Sequence, residues 1–138
     1  MIMRIHGRGI AGGTGKGRAL VSPAPISFLS GVDPETGAVV EKGHPLEGQV
    51  ITGKVLVFPH GRGSTVGSYV LYALSRNKKA PAAMINEEAE PIIAVGAIMG
   101  RIPLVDRIEG GISRLRDGDL LRVDGDEGTV EVLPDTGI

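Results

Sequence analysis

"QVITGKVLVFPHGRGSTVGSYVLYALSRN", residues 49–77, sets the fold class. Residues 49–59 are rich in β-branched side chains and end at Pro59, the pattern of a buried strand. After residue 63 the period changes, and Val66, Val70, Leu71, Ala73 and Leu74 recur at helical spacing. Ser64 or Thr65 suits the N-cap of that helix, and Arg76 and Lys78 suit its negative end. A strand, a glycine-bearing loop and a helix thus follow in order. In parallel sheets such junctions lie outside the carboxyl ends of strands, where ligands bind.

The unit repeats downstream. "PAAMIN" (81–86) reads as a second buried strand, and "EEAEPIIAVGAIMG" (87–100) as a helix from about Glu90 to Met99. Glu87, Glu88 and Glu90 suit its positive end, Pro91 its first turn and Gly100 its stop. "IPLVD" (102–106) is a third strand. Strand–helix–strand–helix–strand implies parallel crossovers. The ends of the chain carry only strand signals, at 3–7, at 18–22, where Pro23 and Pro25 stop the ladder, and at 119–125 and 128–133, flanking a "DGDEG" turn. Residues 31–47 are turn formers and are expected to be an ordered surface loop. The expected fold class is α/β, a parallel α/β layer packed with a second β layer. The 138 residues contain no linker-like stretch and are expected to form one domain, 1–138, with the last few residues disordered.

Composition narrows the function. A net charge of −1 with 22% charged residues gives no electrostatic footprint for nucleic acid, and 3% aromatics with no Trp gives no stacking platform. No apolar run approaches the roughly 18 residues of a membrane span. The N-terminus lacks the apolar core of a secretory signal, so a cytoplasmic location is expected. With no cysteine, this chain alone offers no disulfide, thiolate nucleophile or Cys-ligated cluster.

The loop "PHGRGSTVGS" (59–68) carries the chemistry. Gly61 and Gly63 allow close backbone approach, and the free N–H groups of the helix start attract an anion. Arg62 adds a bidentate donor for carboxylate or phosphate. Ser64, Thr65 and Ser68 add hydroxyls that could serve as nucleophile, proton carrier or cap. His60 could be an acid–base group or simply a loop residue. The same four letters open "HGRGIAGGTGKG" (6–17), but Ile10 and Gly17 stand where a phosphate-binding P-loop needs Gly and Ser or Thr. No long helix follows either. A glycine turn between strands is expected there, with Lys16 and Arg18 as outlying phosphate ligands. Asp106 and Arg107 could face the crevice of Arg62. Asp124, Asp126 and Glu127 fail the calcium-loop spacing and read as turn residues.

"GKVLVFPHGRGSTVGSYVLYAL" and "APAAMINEEAEPIIAVGAIMGRIPLVD" resemble the small-subunit, or swivelling-domain, part of the aconitase X family, and "GRGIAGGTGKGRALVSPAPISFLSGVDPETG" resembles its opening. The resemblance covers nearly the whole chain. It implies a swivelling β/β/α fold and a hydro-lyase whose small subunit closes over a larger catalytic one, in a heterodimer. It places an iron–sulfur cluster, expected as 4Fe–4S, in the large subunit and no metal on this chain. The implied substrate is a phosphorylated hydroxy acid: (R)-5-phosphomevalonate, dehydrated to trans-anhydromevalonate 5-phosphate on a route to isoprenoids. A bacterial branch dehydrates cis-3-hydroxy-L-proline instead. The family's proton-accepting serine follows an Arg-Gly pair, which falls on Ser64, and Gly61, Arg62, Gly63 and Thr65 are then its substrate-binding neighbours. Ser68, His60 and Lys16 stand as further candidates. A reading of another class is a phosphohistidine-type swivelling carrier. It would be marked by a phosphate on His60 after incubation with phosphoenolpyruvate.

Overall fold

A computed structural model describes residues 2–134. The disorder expected of the last few residues concerns positions that lie, in the main, outside the described ones. The elements run β1 (Met3–His6), β2 (Arg8–Ala11), β3 (Thr14–Val21), α1 (Phe28–Gly31), β4 (Val55–Phe58), α2 (Val66–Arg76), β5 (Ala83–Asn86), α3 (Pro91–Gly100), β6 (Leu104–Asp106), β7 (Leu120–Asp124) and β8 (Thr129–Val132). The strands are ordered β1-β8-β7-β3-β4-β5-β6-β2.

Strands β3, β4, β5 and β6 are mutually parallel, as the two crossover helices require. The second layer, β1, β8, β7 and the start of β3, is antiparallel. Two stretches of chain belong to both layers. Thr14–Arg18 pairs with β7, whereas Ala19–Val21 pairs with β4. Likewise β1 pairs with β8 at one margin, and after Gly7 the chain continues as β2 against β6 at the other. The two sheets therefore wrap around a common interior.

Strands β4 and β5 are buried at every position because both of their faces are covered. Val55, Val57, Ala83, Ile85 and Val105 meet Ile5, Leu121, Val123 and Val130 between the sheets. Leu56, Phe58, Met84 and Leu104 face the other way, onto Leu71 and Leu74 of α2 and Ile93 and Ala97 of α3. The result is the β/β/α layering expected from the sequence. Helices α2 and α3 pack closely. A Cβ on Gly96 would sit 2.5 Å from Leu71 Cδ1. The hydroxyls of Ser68 and Ser75 donate to the Ile92 and Gly100 carbonyls, each at 2.7 Å.

Four local expectations need correction. The strand at 49–59 shrinks to Val55–Phe58, because Ile51 and Lys54 close a turn (Lys54 N to Ile51 O, 3.1 Å) with Gly53 at φ 71°. The glycine run 6–17 is mostly strand, interrupted at Gly7 and around residues 12–13. The loop 31–47 is more than surface: Val32, Val39 and Leu46 enter the helix-side core, and buried His44 bridges the Pro25 carbonyl and the Leu46 amide, each at 3.0 Å. Finally, only Glu90 serves the start of α3, where its carboxylate accepts from Ile92 N and Ile93 N at 2.9 Å. Glu87 and Glu88 precede the helix and bond elsewhere.

Candidate functional site

The carboxyl ends of β3, β4, β5 and β6 converge on one rim. The chain leaves β4 through Pro59 and His60 and then pairs again, Ile26 with Gly61, held by Ile26 N to His60 O at 3.3 Å and Arg62 N to Ile26 O at 3.1 Å. The loop is thus an extension of the sheet rather than a free lobe.

Its glycines are required. Gly63 sits at φ +97°, a conformation that costs any residue with a Cβ, and a Cβ there would stand 3.0 Å from Ser27 Oγ. Gly61 is wedged under the start of α3, where a Cβ would meet Ile93 Cγ1 at 2.4 Å and Glu90 Oε1 at 2.6 Å. Both positions fix the path of the chain into α2.

Ser64 lies at the loop–helix junction and is exposed. Its Oγ accepts from Val66 N at 3.1 Å, and its carbonyl accepts from Gly67 N at 2.9 Å, so in hydrogen-bond terms Ser64 begins the helix. Thr65 is exposed and makes no side-chain cap bond. Arg62 reaches Glu41 in an ion pair, with 51% of the arginine side chain still exposed. His60 turns its Nδ1 to the Gly61 carbonyl at 2.8 Å. Gly61, Arg62, Gly63, Ser64 and Thr65 therefore stand together at one helix start, with His60 at the loop's entrance.

Two candidates stand apart. Ser68 is buried and its hydroxyl is committed to Ile92 O, where it fastens α2 to α3. Lys16 does not approach the rim. It lies six residues before Ser22, about 20 Å along a strand, and faces outward beside Arg122, its register partner in β7. The glycine run that precedes it is strand, so it does not fold back toward the crevice.

Sequence reasoning missed two partners. Glu41 orders Arg62 across 21 positions, and nothing in the local letters marks it. The second is the arginine of the first "HGRG". Arg8 Nε and Nη2 donate to Asp106 Oδ1 and Oδ2 at 2.9 and 2.8 Å, and Oδ2 also accepts from Ala89 N at 2.7 Å. Asp106 was expected to face the Arg62 crevice. It is instead fully buried, tying β2 and the β5–α3 loop to the end of β6. Arg107 pairs with Glu88.

Burial raises the Asp106 carboxyl, but its bonds to Arg8 and the Ala89 amide and the nearby Arg107 charge outweigh that and hold it below its ordinary value. A lowered carboxyl stabilises the fold above the ordinary carboxylate range, and the contribution is lost as pH falls through the folded-state value. Asp106→Ala, which orphans the Ala89 amide, should cost about 2–3 kcal/mol at neutral pH. The deficit against wild type should shrink below about pH 4. Urea titrations at pH 7 and pH 3.5 measure both.

At the same rim, beside the core between the two sheets, lies a groove of about 450 Å³, lined by Val21, Ser22, Pro59, Glu87, Gly111 and Ile112 among others. Among the described residues no three His, Asp or Glu side chains gather where they could hold a metal ion, and the chain has no cysteine. An iron–sulfur cluster does not fit this chain's own side chains.

Residues 4–132 match the model of the aconitase X swivel domain. The phosphomevalonate dehydratase small subunit of Methanosarcina acetivorans is 54% identical over 136 residues, 98% of this chain and 94% of that protein. The protein of the same name from Thermococcus kodakarensis is 54% identical over 133 residues, covering 96% and 98%. In the crystal structure of Thermococcus kodakaraensis aconitase X in its holo form, one chain superposes with a TM-score of 0.91 at 53% identity, covering 96% of this chain and 99% of that one. With the family model spanning nearly every described residue and the β/β/α layers in place, the chain belongs to the aconitase X swivel-domain family.

Proposed function

We propose that this chain is the small subunit of a two-subunit phosphomevalonate dehydratase, in which Ser64 accepts the substrate proton. The dehydratase reading is supported by relatives of that name at 51–57% identity over nearly the whole chain. The large subunit holds the iron–sulfur cluster, since this chain cannot. The observation that carries the role of Ser64 is its geometry: an exposed Oγ on a fixed loop, with the Val66 amide aimed at it.

A serine hydroxyl is a weak base, so proton abstraction requires its alkoxide to be stabilised. The Val66 N–H donates to Oγ at the positive end of α2, whose next two amides are committed to the Ser64 and Thr65 carbonyls, and Arg62, paired with Glu41, stands in the same loop. When the large subunit covers the rim, water leaves and each of these interactions strengthens. The proton on the carbon beside the substrate carboxylate passes to Ser64 Oγ. The electron pair of the broken C–H bond forms the double bond, and the neighbouring C–O bond breaks with its pair leaving on hydroxide, which a Lewis-acidic cluster in the large subunit would accept. Gly63 and Thr65, both exposed, flank Ser64 on the path of the substrate, whereas Gly61, buried beneath the start of α3, shapes the loop instead of touching substrate.

The test is anaerobic assembly with the large subunit from the same organism, followed by assays on (R)-5-phosphomevalonate and cis-3-hydroxy-L-proline. Trans-anhydromevalonate 5-phosphate is the expected product. Turnover of hydroxyproline alone would overturn the assignment.

A further inference from the structure

Helix α3, PIIAVGAIMG, contains no charged residue, yet Val95, Ile98 and Met99 are exposed. A helix apolar on all sides is ordinarily covered on all sides. Beside it, α2 exposes Val66, Tyr69 and Tyr72, the last two being the only tyrosines in the chain. Tyr69 is 65% and Ile98 60% exposed. Three of these six, Tyr69, Val95 and Met99, line a largely apolar groove of about 320 Å³ between the two helices, which includes Thr65 at the start of α2 and Met99 near the end of α3.

The surface has two ends of different character. At one end Thr65 follows Ser64 directly, so the groove and the proposed proton acceptor form one continuous surface. At the other end a second groove, which shares Met99 with the first, is lined by Tyr72, Arg76 and Arg101. Neither arginine is ion-paired among the described residues.

We infer that the outer face of α2 and α3 is the docking surface for the large subunit. This rests on the two-subunit reading above, because whatever covers Ser64 also meets Thr65 and the mouth of the groove. The large subunit then presents an apolar strip to Tyr69 and Ile98, and carboxylates to Arg76 and Arg101. Tyrosines on a partly dry surface are characteristic interface anchors. Basic groups at one end set register and speed association.

The experiment is binding of the small subunit to the purified large subunit by sedimentation, with Tyr69→Glu, Ile98→Glu and Arg76→Glu. All three sites are exposed, and the thermal melt of each isolated variant confirms folding. Tyr69→Glu and Ile98→Glu should each raise Kd at least tenfold. Arg76→Glu should raise it severalfold at low salt and less at high salt. Dehydration should recover when Tyr69→Glu is supplied in excess, since Ser64 is untouched. Folded variants that bind like wild type would overturn the inference. So would self-association of the free chain that the same changes abolish while leaving Kd for the large subunit intact. A wild-type pair that assembles without dehydrating phosphomevalonate would refute the proposed function alone, and the Kd values would still decide the docking face. A wild-type chain that binds no large subunit would overturn both.

Discussion

An enzyme assembled with Ser64→Ala will bind substrate almost normally and turn over about 10²–10⁴-fold more slowly, the usual worth of a positioned proton-transfer group. The substitution removes Oγ and leaves the Val66 amide without its side-chain acceptor. The cost to stability is that of a helix cap, about 1 kcal/mol. Ser64 is exposed and anchors no core contact, so the subunit stays folded. No neighbouring hydroxyl can stand in. Ser68 is buried and bonded to Ile92 O, and Thr65 carries its oxygen one position along the helix start. The effect should fall on kcat rather than KM, because an interaction made during proton transfer is the one deleted. Substrate recovered from D2O should likewise lose its exchange of the proton beside the carboxylate. Near-normal turnover would reject Ser64 as the acceptor.

A large loss of stability is expected at Gly15→Ala. A Cβ there would lie 2.0 Å from the Ala82 carbonyl oxygen and 2.8 Å from its carbon. Both atoms are backbone at the entry to β5, so neither can move aside as a flexible side chain would. Either β3 lifts from β7, or the approach to β5 shifts and disturbs the core between the sheets. Overpacking of this kind costs about 3 kcal/mol, or a fall in Tm of roughly 10 °C for a domain this size. Lys16→Ala, one residue further on and facing out, should change neither the melting temperature nor kcat/KM. If Gly15→Ala melts like wild type, the close crossing of β3 over Ala82 is wrong.

That pair of neighbours shows where the sequence was readable. The β4–loop–α2 unit was legible because its signals are local: β-branched residues ending at a proline, then an apolar stripe of helical period. The parallel layer followed from repetition of the unit, and the C-terminal hairpin from its turn, where Asp124 Oδ1 accepts from Asp126 N and Glu127 N. The glycines of "TGKGR" were not legible. A glycine turn, a phosphate cradle and a crowded strand crossing use the same letters, and the difference lies in what passes overhead. Here that is Ala82 over Gly15 and Gly53 over Gly17, both remote in sequence. The candidate site divides the same way. Gly61 to Thr65 form one continuous loop and were found together. The partner of Arg62 and the role of Arg8 depend on pairings 21 and 98 positions apart.

Because β3 and the β1–β2 stretch each belong to both sheets, the protein has no seam along which one layer could slide past the other. Shearing the layers would tear ladder hydrogen bonds at both margins at once. In the proposed two-subunit enzyme, closure of this chain over the large subunit would therefore be a rigid rotation of the whole body about a hinge outside it. Ser64 would travel on a lever whose length and angle do not change. The partner would set the stroke, and this fold the aim.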